Sequence, residues 1–194
     1  MPKSSIIIVS GLPRSGTSLM MQILDKAGVA SLTDNLRTAD ADNPRGYYEY
    51  EPVKHMKDSD TGWIRLAKGK AVKIISHLLQ NLPAGQDYKI VFMLRNLAEV
   101  VASQDRMLQN RGQQQESSVS KEDLVEIFAA HLESVRLWLH EQPNIKTIYI
   151  DYNNLVDNPQ ASLMQVSTFL GIDLTKPEIL AVVDSNYYRQ RESK

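Results

Sequence analysis

Short apolar runs separated by amphipathic segments form the most regular pattern in this chain. Four of the runs predict buried parallel strands, at residues 5–10, 71–75, 88–94 and 147–151. Four segments with apolar residues at helical spacing predict helices, at residues 17–27, 96–111, 121–141 and 159–170. Strands that alternate with helices in this way predict an α/β fold with a parallel sheet and right-handed crossovers.

The ends of these predicted helices carry their own signals. Gly28 and Gly171 are suited to end helices, because glycine readily adopts the left-handed conformation of a C-terminal cap. Ser120 and Asp123 are spaced as an N-terminal cap pair for the helix at 121–141. We expect the apolar face of that long helix to consist of Leu124, Ile127, Phe128, Leu132, Val135, Trp138 and Leu139.

Two segments have no regular period. Residues 30–62 mix polar and aromatic residues, and residues 109–120 are polar and low in complexity. Because α/β proteins bind ligands at the carboxyl ends of their strands, both segments are candidate substrate-covering loops. For residues 109–120 a solvated connection is the favoured interpretation. The sequence shows no internal repeat or second-domain boundary, so we expect one domain over residues 1–194.

Composition narrows the possible functions. An apolar content of 42% and a charged content of 23% are typical of a globular protein in water. The formal net charge of −1 gives no electrostatic reason to expect nucleic acid or an anionic membrane as a partner. No apolar run approaches the ~18 residues that a membrane span needs. The absence of cysteine excludes disulfides and thiolate metal sites, and with no leader-like segment before the first strand we expect a cytoplasmic location.

Residues 11–18, with the sequence GLPRSGTS, join the first predicted strand to the first predicted helix. In this geometry backbone N–H groups and a helix N-terminus converge on an anion, so we expect a phosphate-binding loop. The spacing is that of a Walker A loop, but Thr17 stands where that motif has its lysine, and Arg14 is the loop's cation. Such a loop is poorly suited to holding the terminal phosphates of ATP through lysine and magnesium.

Two further motifs follow this loop. The third predicted strand leads into Arg95, and Ser103 follows eight positions later on the next predicted helix. After the fourth strand come the sequences YNNL at 152–155 and FLG at 169–171. Together with the loop, these motifs resemble the sulfotransferase family, whose sulfate donor is PAPS (3′-phosphoadenosine 5′-phosphosulfate). The resemblance spans residues 6–171 and is closest to the compact Arg-Ser-Gly-Thr branch, which includes bacterial and Golgi-type enzymes.

The resemblance implies a P-loop-type three-layer fold, with a central parallel sheet of four to five strands flanked by helices. It implies transfer of a sulfuryl group to a hydroxyl, or less favourably an amine, on a small molecule, glycan or peptide. No metal is expected, because arginines and backbone amides meet the donor's charge. The oligomeric state is left open.

The resemblance also implies roles for individual residues. The residues that would hold the 5′-phosphosulfate of the donor are Arg14, Ser15, Gly16, Thr17 and Ser18. Arg95 and Ser103 would hold the 3′-phosphate, and Tyr152 would approach the adenine. From the residues alone, Arg95 could instead pair with Glu99, and Tyr152 could be a packed aromatic at a strand end. The family's usual acidic pair after the tyrosine is replaced here by asparagines at 153 and 154.

Two residues are candidates for the base that removes the acceptor's proton. Glu49 follows two tyrosines in the irregular segment, and the Arg-Ser-Gly-Thr branch resembles enzymes that use a glutamate base. His77 lies just beyond the second predicted strand, and histidine titrates near neutrality. Lys73, at the end of that strand, could neutralise the transferring sulfate or extend to solvent. We expect His131 to be a core residue of the long helix, and no zinc site from the other histidines.

Two rival functions are consistent with the loop. In a P-loop kinase or NTPase, Asp151 at the end of the fourth strand would serve as the Walker B acid. The missing lysine and the presence of Arg95 count against this interpretation. The other rival is a nucleotide-binding module that lacks a catalytic base.

Overall fold

A four-stranded parallel sheet organises the fold in the computed structural model of the chain, which describes residues 5–34, 36, 40, 46–58, 61–110, 112 and 119–183. The strands are β1 (Ile6–Gly11), β2 (Ala71–Lys73), β3 (Tyr88–Leu94) and β4 (Ile145–Asp151). Their order across the sheet is β2-β1-β3-β4, and all neighbouring pairs are parallel. The chain runs to one side from β1 to β2 and to the other side for β3 and β4. This reversal places a crevice at the carboxyl ends of the central strands.

Helices and short 3₁₀ helices connect and cover the strands. The α-helices of the described residues are α1 (Thr17–Lys26), α2 (Leu97–Asn110), α3 (Lys121–Glu141), α4 (Tyr152–Asp157), α5 (Pro159–Leu170) and α6 (Pro177–Leu180). The 3₁₀ helices are Glu51–Asp58, Gly62–Ala67 and Ser76–Asn81. Among the described helices there is none with the length and apolar character needed to cross a membrane.

The core lies on both faces of the sheet, because alternate residues of a strand point to opposite faces. Ile7 and Val9 of β1 belong to one apolar cluster, which includes buried residues of α1 and α5. Ile6 and Ile8 belong to the other, which includes Val135 and Leu139 of α3 and buried residues of the 3₁₀ helices. A sheet between two helical layers confirms the predicted P-loop-type three-layer α/β fold.

The predicted helix ends agree with the structure in detail. The side chains and backbone amides of Ser120 and Asp123 form a reciprocal capping box at the start of α3. Gly171 ends α5 in the left-handed conformation, with φ 75°. These two signals were readable because each depends on a few neighbouring residues. The structure adds a cap that the sequence analysis did not name, at Asn158 before the first turn of α5, whose side chain accepts a hydrogen bond from the Ala161 amide.

Three predictions about these elements need correction. Strand β2 ends at Lys73 instead of residue 75, since a 3₁₀ helix begins at Ser76. The irregular segment at 30–62 contains one 3₁₀ helix and the start of another, which apolar periodicity did not reveal. The apolar face of α3 is buried only in its C-terminal half, at Val135 and Leu139, whereas Ile127 is 53% exposed. Amphipathic spacing shows which face of a helix could be buried, and the packing partner decides how far along the helix burial extends.

Candidate active site

The β1–α1 loop is a tight turn that requires glycine at two positions. Gly11 has φ 148°, and a Cβ there would contact the Ser15 hydroxyl and lie 2.6 Å from the Met93 carbonyl oxygen. Gly16 has φ 96°, and a Cβ there would collide with the Tyr152 ring. The amide and hydroxyl of Ser15 both donate to the Leu12 carbonyl, at 3.2 and 2.7 Å. The predicted Walker-like loop is therefore held closely by its own backbone and by the strand and helix beside it.

The loop leads into the N-terminus of α1. Gly16 occupies the N-cap position, and the first turn of α1 contains no acidic residue. Thr17 is nearly buried and Ser18 is half-buried at this end of the helix. The positive end of the helix dipole and the backbone N–H groups of its first turn favour an anion there. This geometry supports the prediction of a phosphate-binding loop.

Groups around α2 brace the loop through its arginine. The Arg14 Nε donates to the Ser103 hydroxyl at 2.9 Å, and the Arg95 Nη1 donates to the Arg14 carbonyl at 3.0 Å. The Gln104 side chain donates to the Pro13 carbonyl at 3.3 Å. The structure therefore brings Arg14, Arg95 and Ser103 into one connected group, although they are far apart in the sequence.

Arg95 is the centre of this group. Its Nε donates to the Glu99 carboxylate at 3.0 Å, and its guanidinium carbon lies 4.8 Å from the centre of the Tyr152 ring. Burial raises the pKa of the Tyr152 hydroxyl, which keeps the ring neutral. The pairing with Glu99 that the sequence left as an alternative is thus present, and the Tyr152 ring packs between Gly16 and Arg95. We call Arg14, Arg95, Glu99, Ser103 and Tyr152 the arginine network.

A second group forms on the other side of the loop, around Lys73 at the end of β2. The Lys73 ammonium donates to the Ser18 hydroxyl at 3.4 Å and to the Tyr47 carbonyl, and it lies 4.0 Å from the Glu49 carboxylate. The Lys73 side chain is only 9% exposed, whereas that of Glu49 is 24% exposed. Exposed Lys54 also approaches Glu49, at 3.8 Å. We call Ser18, Tyr47, Glu49 and Lys73 the Lys73 cluster.

Backbone strain occurs in the arginine network and next to the Lys73 cluster. In the described part of the chain, the non-glycine residues with positive φ are Arg14, at 72°, and Tyr48, at 53°. This conformation is costly for residues with a Cβ and persists only where the surroundings enforce it. Arg14 is the arginine of the loop, and Tyr48 directly precedes Glu49. Both strained residues therefore position side chains that the sequence singled out.

His77 belongs to neither group by its described contacts. It is exposed on the 3₁₀ helix Ser76–Asn81, and its ring stacks on that of His131 with centres 3.7 Å apart. The His131 Nε2 and the Ser76 hydroxyl are 2.8 Å apart. Burial, and then the neighbouring His77, lower the pKa of His131. The expectation that His131 is a core residue was wrong: its ring is half-buried, because α3 presents it to the 3₁₀ helix at the sheet edge.

The family model described as a sulfotransferase domain matches residues 4–193 of this sequence. The chain belongs to the sulfotransferase family. Sulfotransferase 1 family member D1 of Mus musculus is 25% identical over 189 residues, which are 90% of this chain and 61% of that protein. The chain therefore spans about three fifths of the length of this curated relative.

Solved sulfotransferase structures share the fold. Mouse sulfotransferase SULT7A1, complexed with PAP, superposes with a TM-score of 0.54 at 17% identity, covering 97% of this chain and 68% of that one. The sulfotransferase domain of the Synechococcus PCC 7002 olefin synthase has a TM-score of 0.54 at 15% identity, covering 96% of this chain and 83% of that one. At such identities the likeness concerns the three-layer architecture alone.

This sulfotransferase domain contains site residues that the sequence underrated. Lys73 seemed as well suited to solvent as to the site, yet its side chain is nearly buried against Ser18. Glu99 was considered only as an alternative partner for Arg95, although its spacing four residues after Arg95 on a helix was a usable signal. In the described residues, no group of three His, Asp or Glu side chains is arranged to hold a metal ion. Arg189 and Arg191, two further arginines near the end of the given sequence, lie outside the described residues.

Proposed function

We propose that this chain transfers a sulfuryl group from PAPS to a hydroxyl, or less favourably an amine, and releases adenosine 3′,5′-bisphosphate (PAP). The observation that carries the proposal is the arginine network. A loop at a helix N-terminus has Arg14 as its cation and no lysine at the Walker position, and that loop is hydrogen-bonded directly to Arg95 and Ser103. Membership of the sulfotransferase family supports the same reaction.

The donor's two charged ends would be held by different residues. The amides of Ser15, Gly16 and Thr17, with the hydroxyls of Thr17 and Ser18, would hold the 5′-phosphosulfate at the start of α1. Arg95 and Ser103 would hold the 3′-phosphate, because a guanidinium and a hydroxyl are both good phosphate donors. The Tyr152 ring packs between Gly16 of the loop and the Arg95 guanidinium, so it would help to orient Arg95. Its predicted approach to the adenine stays a prediction.

The transfer itself is a displacement at sulfur. The acceptor oxygen forms a bond to sulfur, the bond from sulfur to the bridging phosphate oxygen breaks, and the acceptor's proton passes to a base. The products are a sulfate ester and PAP. Negative charge grows on the bridging oxygen as it leaves, so Arg14 and Lys73 are the cations suited to stabilise it. Both are close to the first turn of α1.

We assign the base to Glu49 before His77. Glu49 lies beside Lys73, which in turn contacts Ser18 at the start of α1, so this carboxylate is on the loop side of the β2 end. His77 remains the second candidate, because it follows the same strand end and its imidazole is accessible. His77 stacks on the half-buried His131. Burial, and then the neighbouring His77, lower the pKa of His131, so its neutral form is favoured.

The end of the fourth strand does not support the kinase alternative. The Asp151 carboxylate accepts a hydrogen bond from the Asn154 amide at 2.7 Å and caps α4. This is an ordinary structural role for an aspartate before a helix. The acceptor's class (small molecule, glycan or peptide) and the cytoplasmic location stay predictions.

Calorimetric titration and a transfer assay test the proposal together. We expect PAP to bind without added metal and far more tightly than ATP with magnesium. We also expect PAP release from PAPS to depend on an added phenol or alcohol acceptor. Tight binding of magnesium-ATP with no binding of PAP would replace the proposal by the kinase alternative. PAP binding without transfer to any acceptor in a panel of alcohols, phenols, sugars and amines would favour the non-catalytic module.

A further inference from the structure

Glu99 is a buried carboxylate that the proposed reaction does not use directly. Only 4% of its side chain is exposed, and its Oε2 accepts from the Arg95 Nε at 3.0 Å. Its Oε1 accepts from the Asn153 amide nitrogen at 3.3 Å. Both oxygens therefore accept N–H donors from residues beyond the carboxyl ends of neighbouring strands, Arg95 directly after β3 and Asn153 in the first turn of α4, which follows β4.

A buried ion pair alone says little about stability, because desolvation of two charges offsets their attraction. The contacts that surround the Arg95–Glu99 pair are more informative. While Glu99 holds the Nε edge of the Arg95 guanidinium, the Nη1 atom donates to the Arg14 carbonyl at 3.0 Å, and the Tyr152 ring covers one face. A planar group held along two edges and on one face has a defined orientation.

We propose that Glu99 is a positioning residue that orients Arg95 for the donor's 3′-phosphate. The inference rests on the proposed function, since Arg95 meets this phosphate only if the chain binds PAPS or PAP. Asn153 fits the same arrangement. Its amide donates to Glu99, whereas an acid at position 153 would place a second carboxylate beside Glu99 and repel it. The asparagine that departs from the family's acidic pair is thus a suitable neighbour for this carboxylate.

Nucleotide binding to Glu99→Gln tests the proposal, because glutamine keeps the size and one acceptor oxygen but removes the charge. We expect PAP to bind about tenfold more weakly, which is the scale of one hydrogen bond to a charged group, while AMP, which lacks the 3′-phosphate, changes by less than about twofold. Arg95→Ala removes the whole guanidinium. It therefore gives the largest loss of PAP affinity to be expected from this residue, and it should remove the preference for PAP over AMP. As a matched control, Glu133→Gln breaks an exposed Glu–Arg pair of 2.8 Å on α3 and should change neither affinity.

Two further measurements separate a positioning role of Glu99 from a general effect on the stability of the fold. Asn153→Ala should weaken PAP binding in the same direction by about threefold, and it carries the test if Glu99→Gln does not fold. In the free protein, the Arg95 Nε–H signal in NMR should be protected from exchange in the wild type and lose that protection in Glu99→Gln. Equal weakening of PAP and AMP would show a general structural role and overturn the inference, as would unchanged PAP binding. A wild type that does not prefer PAP to AMP would overturn the proposed function, and the inference with it.

Discussion

The arginine network and the Lys73 cluster lie on opposite sides of one loop and differ in how firmly they are held. In the arginine network the Arg95 and Glu99 side chains are 7% and 4% exposed, and the bonds that join it are 2.9 to 3.0 Å long. In the Lys73 cluster the ammonium is held by the Tyr47 carbonyl, but its contacts to the Ser18 and Glu49 side chains are longer, at 3.4 and 4.0 Å. Glu49 also comes from a stretch without helix or strand.

The difference follows from the elements that supply each side. Apart from Arg14 in the β1–α1 loop, the arginine network lies at the end of β3 and on α2 and α4, whereas an irregular segment supplies Glu49 to the Lys73 cluster. Groups on regular elements are placed more accurately than groups on loops. The proposed donor is always the same nucleotide, which suits the rigid arginine network. The acceptor can differ, which suits the less regular segment that carries Glu49. The comparison predicts that changes in the arginine network affect donor binding, while changes in the Lys73 cluster affect the chemical step.

The largest effect is expected for Arg14→Ala. Removing the guanidinium takes away a bond to Ser103 and the cation that we propose stabilises the leaving oxygen, so kcat/KM should fall by about 10³-fold in the transfer assay. Arg14→Gly is the matched variant, because glycine relieves the positive φ of 72° while also removing the guanidinium. Activity retained by the glycine variant would mean that the backbone, and not the guanidinium, is what the reaction needs.

Glu49→Gln should give the next largest effect. If Glu49 accepts the acceptor's proton, kcat should fall by about 10²-fold while the affinity for PAP stays unchanged. His77→Ala is the parallel variant, and we expect it to slow transfer much less. The reverse order of effects would assign the base to His77, and two fully active variants would remove both assignments.

The sequence named members of both groups, but the grounds differed. The roles of Arg95 and Ser103 were implied by the resemblance to the family, and the parallel pairing of β1 with β3 in the structure accounts for their meeting with the loop. For the Lys73 cluster, the sequence singled out Ser18, Glu49 and Lys73 without indicating that they contact one another. Glu49, 4.0 Å from the Lys73 ammonium, follows Tyr48, which adopts positive φ in a segment without a period. Such a turn depends on tertiary packing, which neither propensity nor spacing encodes.

Lys73→Met tests whether the Lys73 cluster acts in the chemical step. Both Lys73 and Lys54 lie near Glu49, at 4.0 and 3.8 Å, and the nearly buried Lys73 ammonium also donates to Ser18 at the start of α1. We expect Lys73→Met to lower kcat by about tenfold and Lys54→Met to leave it within about twofold, because exposed ion pairs contribute little. Equal losses in the two variants would show that Lys73 acts only by holding Glu49.

The smallest effect concerns pH and lies outside both groups, at the stacked pair of His77 and His131. Burial, and then His77, lower the pKa of His131 below its ordinary value of 6.5. Below about pH 6.5 the unfolded chain therefore takes up a proton that the folded His131 resists, so stability falls as the pH falls through this window. Between pH 7.5 and 5.5 the melting temperature of the wild type should drop by about 1–2 °C more than that of His131→Asn. An equal drop in both proteins would mean that the stacked ring does not contribute to the pH dependence, and PAP affinity should be the same in both at pH 7.5.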